Sequence, residues 1–340
     1  MVFALVLLVL LGVSVLYNLA NLAGNLLHGK SASARTVGPR LEEVVKEDND
    51  SANKIAVIEV DGIITGNQID QSGFSMVDVI RSQLRHAQDD SSVKAVILKV
   101  DSPGGEVLAA DEIYRAIQDF EKSGNKPVVA AMGSLAASGG YYISAPCRWI
   151  VANELTITGS IGVILSAYNY RGLMDKVGIV PEVYKSGKFK DMLSGSREPG
   201  DITPEERAMV QRLIDETYGK FKNVVQTGRD AAHQKNKNEG KALSPDWAEY
   251  ADGRVLSGTE ALKLGFVDQL GYMKDAVARA QTIAGISNAN LVEYEQRYDL
   301  SDLLRLFGKS EAKSVRVDLG MEVPRLQAGH LYFLSPTYVH

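Results

Sequence analysis

KPVVAAMGSLAASGGYYIS, residues 126–144, decides how the rest of the chain is read. Its first part, 126–134, is an apolar run that reads as a buried strand. Ser138 follows between two alanines and two glycines, and an apolar helix runs on to about Ala145. Strand, serine and helix in succession is the setting of a nucleophile elbow. The pattern G-x-S-x-G is absent, however, so the chain is not an ordinary α/β-hydrolase. A serine here has two readings. It could cap the helix. It could also react, with the helix N-terminus and the N–H of Gly139 stabilising negative charge. The nearest histidines are His86 and His233, so no histidine base is close in sequence.

Outward from this stretch, strands and helices alternate. IAVIEV (55–60), VKAVILKV (93–100), WIVANE (149–154) and IVPEVYKS (179–186) read as further strands. Helical spacing marks 74–88, 109–124, 168–178, a long segment from Thr203, and 274–284. Thr203 is placed to cap the long helix, with Pro204 in its first turn. Strands separated by helices predict an α/β fold with a mostly parallel, buried sheet. The short apolar pieces LRLFG, SVRVDLG and LYFLSP in the last part read as edge strands or packing arms.

The N-terminus, from Val2 to Leu19, carries no charge and is dense in Leu and Val. About twenty such residues span a bilayer core, which predicts a membrane helix. No Lys or Arg precedes Lys30, so it reads as an uncleaved anchor rather than a signal peptide. Lys30, Arg35 and Arg40 follow it, and charge alone would put that side in the cytoplasm. GNLLHGKS (24–31) fits the P-loop pattern by chance, because no buried strand precedes it. The expected organisation is an anchor over 1–29, a polar linker over 30–53, a catalytic domain over 54–290 and a C-terminal extension over 291–340.

Composition excludes several classes. The net charge of −5 and the lack of a basic patch argue against a nucleic-acid partner. The lone Cys147 rules out an intrachain disulfide and a Cys-rich metal site. It reads as a small buried apolar residue. The five histidines show no metal-ligand spacing, and no cofactor is implied.

Two further stretches bear on chemistry. DSPGG (101–105) closes a buried strand. Its glycines either satisfy a tight turn or leave backbone N–H groups free to meet an oxyanion. YKSGKFKDMLSG (184–195) offers Lys185, Lys188 and Lys190 as proton acceptors. A lysine base must be neutral, so its ordinary pKa of about 10.4 has to fall to near 7. Burial among hydroxyls and carbonyls can do that. A solvated surface charge is the plain alternative for each of the three.

Taken together, S-P-G-G after a strand, then A-S-G-G-Y-Y, T-G-S-I-G-V, S-G-x-x-K-D and DGRVLSGTEALKLGFVDQLG resemble the signal peptide peptidase A family. These are Ser/Lys serine peptidases of the ClpP/crotonase superfamily. The resemblance covers roughly residues 55–285. It implies a stacked ββα spiral with Ser138 as nucleophile and Lys190 as general base. It further implies Ser160 as the residue that positions the lysine, and Gly105 and Gly139 as oxyanion donors. Short members form dome-shaped homo-oligomeric rings, here expected as an octamer, in which serine and lysine meet across subunits. The implied substrates are signal-peptide remnants and other unfolded apolar peptides, read by an apolar groove with a shallow pocket at the cleaved residue. The implied location is a single-pass cell-membrane protein with its catalytic domain outside the cytoplasm, opposite to the charge-only reading. Two alternatives stand beside this one: a crotonase-like acyl-CoA enzyme, and a non-catalytic membrane scaffold.

Overall fold

The computed structural model describes residues 38–68, 73–296 and 331–334. The chain opens with β1 (Leu41–Glu47) and β2 (Lys54–Asp61), then α1 (Met76–Asp89). β3 (Val93–Ser102) and the short β4 (Gly104–Glu106) lead into α2 (Val107–Gly124). β5 (Val128–Ala137) is followed by α3 (Gly139–Ser144), β6 (Trp149–Ala152), β7 (Ile157–Gly159) and α4 (Arg171–Lys176). After the long α5 (Pro204–Lys235) come β8 (Val255–Ser257), α6 (Gly258–Lys263), β9 (Gln269–Leu270), α7 (Met273–Ala284) and β10 (Asn290–Gln296). The last described element is β11 (Tyr332–Leu334).

The main sheet runs β1-β10-β2-β3-β5-β6-β9, with β7 beside the end of β5 and β8 on β7. All neighbours from β10 to β9 are parallel, and β1 closes one edge antiparallel. The parallel strands are buried on both faces, which is why they read as unbroken apolar runs. Alternate residues serve alternate layers. Ile58, Leu98 and Ala130 pack with α1, α2, α3 and α5, while Ile55, Ile97 and Val129 pack with Ala276 and Ala280 of α7. The fold is therefore a mixed α/β layer structure.

Local signals explain the helix ends. Thr203 caps α5 as expected, accepting from the Glu206 N–H, while the Glu206 side chain accepts from Thr203 in return. Asn125, left-handed at φ 50°, stops α2 just after Gly124. α5 crosses the core closely at Gly228, where a Cβ would lie 2.6 Å from the Ala145 carbonyl. Next to it Arg229, 1% exposed, pairs with Asp268 and donates to the Cys147 carbonyl. Asp268 in turn accepts from the Ile150 N–H at 2.8 Å. Removing one partner of such a pair strands a buried charge, so Asp268→Ala is expected to cost about 3–5 kcal/mol. Urea unfolding would register this as a lower midpoint. Cys147 is wholly buried, and burial pushes its thiol up, away from reactivity.

Several expectations need correction. Residues 179–186 form no strand. Ile179, Val180, Val183 and Tyr184 are exposed there, so the apolar run has no sheet to join within the chain. The helix expected over 168–178 is the shorter α4. Residues 41–47, read as linker, form β1, because β10 offers a free edge. The sheet also runs past 290, since β10 ends at Gln296. The anchor over 1–29, the P-loop-like stretch and the LRLFG and SVRVDLG pieces lie outside the described residues. Among the described residues, no helix is long and apolar enough to cross a membrane.

Candidate active site

Ser138 occupies the single residue between β5 and α3. Its φ of 53° and ψ of −115° are unusual for a residue with a side chain. Such a conformation costs about 1–3 kcal/mol and persists only where neighbours impose it. Here they do. The Ser138 N–H donates to the Gly159 carbonyl at 2.8 Å, and the Ser138 carbonyl accepts from the Tyr142 N–H at 2.8 Å. The hydroxyl does not cap the helix. It is buried at 1% exposure, and its Oγ has no partner among the described residues. Leaving a buried hydroxyl unbonded costs about 1–3 kcal/mol. The N-cap reading therefore fails, and the hydroxyl is held ready for another group.

The turn over 101–105 stands against Ser138. The Ser102 hydroxyl accepts from the Gly104 N–H at 3.1 Å. Ile64 donates to the Gly104 carbonyl at 2.9 Å and accepts from the Glu106 N–H at 2.8 Å. Backbone groups alternate along a strand, so the N–H and carbonyl of Gly105 face the other way. The tight-turn reading of the glycines holds. Gly104 has φ 99°, and Gly105 lies so close to Ile64 that a Cβ would sit 1.9 Å from its carbonyl oxygen.

What Gly105 faces is the C-terminal strand. β11 pairs antiparallel with β4, placing Phe333 opposite Gly105. Val107 donates to the Leu331 carbonyl at 3.2 Å. Hydrogen-bonded pairs recur at every second residue of an antiparallel ladder, so Gly105 and Phe333 form such a pair. The Phe333 carbonyl consequently meets the Gly105 N–H. A Cβ placed on Gly139 would lie 3.1 Å from both Gly105 N and Phe333 O. One placed on Gly104 would lie 2.0 Å from Phe333 O and 2.5 Å from Gly139 N. Two backbone nitrogens and one carbonyl oxygen thus crowd together beside Ser138.

On its other side β11 meets Ile164, giving and receiving bonds of 3.1 and 3.2 Å through Tyr332. The strand is held between two backbone edges in the manner of peptide capture by strand addition. The described residues 332–334, part of the LYFLSP piece read as an edge strand or packing arm, form a short edge strand in the groove between β4 and Ile164. A tethered occupant competes at an effective concentration near millimolar. Phe333→Ala is expected to loosen it and raise cleavage of a dilute short peptide by about tenfold, read as a fall in KM.

Ser160 follows Gly159, the β7 residue opposite Ala137 of β5. It is buried, has φ 51°, and donates its N–H to the Arg254 carbonyl at 2.7 Å. Ser138 and Ser160 thus both leave neighbouring parallel strands with a positive φ. The three lysines differ. Lys185 pairs with Asp191 at 2.8 Å, and Lys188 with Glu205 at 2.7 Å. Lys190 is exposed, and its amine makes no ion pair among the described residues. Within one chain the structure brings Gly105, Gly139, Ser138 and Ser160 together, and it does not bring Lys190 to the Ser138 hydroxyl. Sequence reading missed Ile64 and Ile164, the two backbone anchors of the groove. Their only signal is that each lies in a short apolar stretch next to a glycine.

A strained, buried serine beside paired backbone N–H groups, with an extended strand laid across them, is the arrangement of a serine peptidase on a Clp-type α/β fold. Comparison with known proteins agrees. Residues 47–148 match the Clp protease family model, and residues 120–287 match that of peptidase family S49. A Synechocystis protein named a protease is 38% identical over 270 residues, covering 79% of this chain and 88% of its own. An Enterococcus faecium protein named signal peptide peptidase SppA is 37% identical over 259 residues, covering 75% and 71%. A chloroplastic serine protease SPPA of Arabidopsis thaliana is 31% identical over 265 residues, covering 76% and 37%. The chain belongs to peptidase family S49, the family of signal peptide peptidase A, and is a serine protease.

Proposed function

We propose that the protein is a membrane-anchored endopeptidase that degrades signal-peptide remnants and other unfolded apolar peptides with a Ser138–Lys190 dyad. The carrying observation is the buried, unpartnered Ser138 hydroxyl beside the carbonyl of an extended strand. Ser138 Oγ attacks the peptide carbonyl as its proton passes to the neutral Lys190 amine. The oxygen becomes an oxyanion held by the N–H groups of Gly105 and Gly139, about 3–4 kcal/mol of stabilisation for each donor. Lys190 then protonates the leaving amine. Water, deprotonated by the same amine, hydrolyses the acyl-enzyme and frees Ser138. The Ser160 hydroxyl positions the amine.

Lys190 comes from a neighbouring subunit of a ring, an octamer by family resemblance. What supports this is the segment that carries it. Tyr168, Tyr170, Leu173, Val177, Val180 and Tyr184 are all exposed there. So large an apolar surface is what an interface offers. The N-terminal segment supplies a single-pass anchor, and the domain lies outside the cytoplasm. The test is fragmentation of a synthetic apolar signal peptide by the full chain in detergent, followed by mass spectrometry. Fragments from the parent and none from Ser138→Ala support the reading, and equal fragments from both defeat it. Digestion of intact cells by added protease checks the side of the membrane.

A further inference from the structure

Phe333 turns its carbonyl to the Gly105 N–H, with the Gly139 nitrogen close by, so its side chain marks where the residue before the cut bond is read. Its ring is wholly buried. It stacks on Tyr142 with centroids 4.9 Å apart at 27°, and tilts against Phe221 at 4.6 Å and 53°. Tyr142 and Phe221 meet edge to face at 5.0 Å. Tyr114 closes on Tyr142 from behind at 5.4 Å. We propose that Tyr142 and Phe221 form the specificity slot of this peptidase and that the slot selects an aromatic residue immediately before the cut. This rests on the peptidase reading above and names the side chain that reading left open.

The slot is built rigidly. Tyr142 lies one turn beyond Ser138, and its N–H donates to the Ser138 carbonyl. Its hydroxyl donates to Asp111 at 2.8 Å. Asp111 is gripped by Arg115 at 2.8 Å and Lys220 at 2.7 Å. Burial works to raise the Asp111 carboxyl, but the bonds from Lys220, Arg115 and Tyr142 outweigh it and hold it below the usual range. Lys220 and Phe221 are adjacent in α5, so one helix supplies both brace and wall. A small residue in this slot would leave a ring-sized void and lose its contacts. A cation would be stripped of water and find the one nearby carboxylate already saturated. The shallow pocket expected for small residues is therefore replaced by a deep aromatic one. Cuts fall inside an apolar segment, at its aromatic residues, rather than at its small-residue end.

The test uses the full chain and peptides that differ only in the residue before the cut: Phe, Leu, Ala or Asp. Phe is expected to exceed Ala by about 10²-fold in kcat/KM, with Leu between. Phe221→Ala should erase most of that ratio, with the larger change in kcat/KM falling on the Phe peptide. Phe221→Leu serves if the first variant does not fold. A second readout needs no catalysis. Amide hydrogen exchange at residues 104–107 should be slow in the parent and fast in Phe333→Ala. If Phe and Ala peptides are cut equally, the slot is wrong and the peptidase reading survives. If no peptide is cut, the peptidase reading falls and the specificity assignment falls with it. Unchanged exchange in Phe333→Ala would overturn the slot, and faster exchange would sustain it.

Discussion

Ser138→Ala is expected to lower kcat for peptide cleavage by about 10⁴-fold or more, and Lys190→Ala by a similar factor. The two losses should not be additive, because nucleophile and base act as a unit. The decisive arm is a mixture. In a head-to-tail ring each site takes its serine from one subunit and its lysine from the next. Random reassembly of the two variants leaves about a quarter of the sites intact, so about a quarter of parental activity should return. The structural ground is a mismatch within one chain. Among the described residues the Ser138 hydroxyl is buried without a partner, while Lys190 stands exposed without an ion pair. Full activity in Lys190→Ala would place the base elsewhere. Two inactive variants whose subunits demonstrably exchange, with nothing regained, would place the pair within one chain.

Gly104→Ala is the second large effect. The new methyl group would lie 2.0 Å from the position of the Phe333 oxygen and 2.5 Å from Gly139 N. It would thus fill the space that a substrate oxygen needs and push one donor aside. The loss expected in kcat is about 10²–10³-fold. The positive φ adds a stability cost of about 1–3 kcal/mol, visible as a lower Tm. Gly105→Ala should behave differently. Its methyl group would strike the Ile64 carbonyl at 1.9 Å, so β4 would be pried from its support and stability would fall further. Comparing kcat with Tm for the two variants separates a blocked oxygen site from a broken scaffold.

The parallel core was legible because burial on both faces writes unbroken apolar runs, as in residues 95–98 and 128–132. Ser138 was legible as a singular residue, and its φ of 53° and hydroxyl without a cap bond then ruled out the plain helix-cap role. What could not be read was set by contacts distant in sequence. β11 pairs with β4 across more than half the chain, and a three-residue strand carries too little pattern to announce a partner. IVPEVYKS misled for the opposite reason. Its apolar residues are real, but they face outward instead of joining the sheet. Phe221 looked like any core residue of a long helix until the ring of Phe333 was seen against it.

β4 is held through Ile64 on one side, and its other edge pairs with the extended backbone of β11. Main-chain bonding of this kind asks nothing of the side chains it passes. It asks that the incoming chain have spare amides and carbonyls. A residue inside a helix or sheet has already spent them, and freeing one stretch means breaking several bonds together. Under the proposed function the groove would act as a sieve for foldedness: folded proteins would pass by uncut, and a released, unstructured scrap would be admitted, to be sorted afterwards by the aromatic slot.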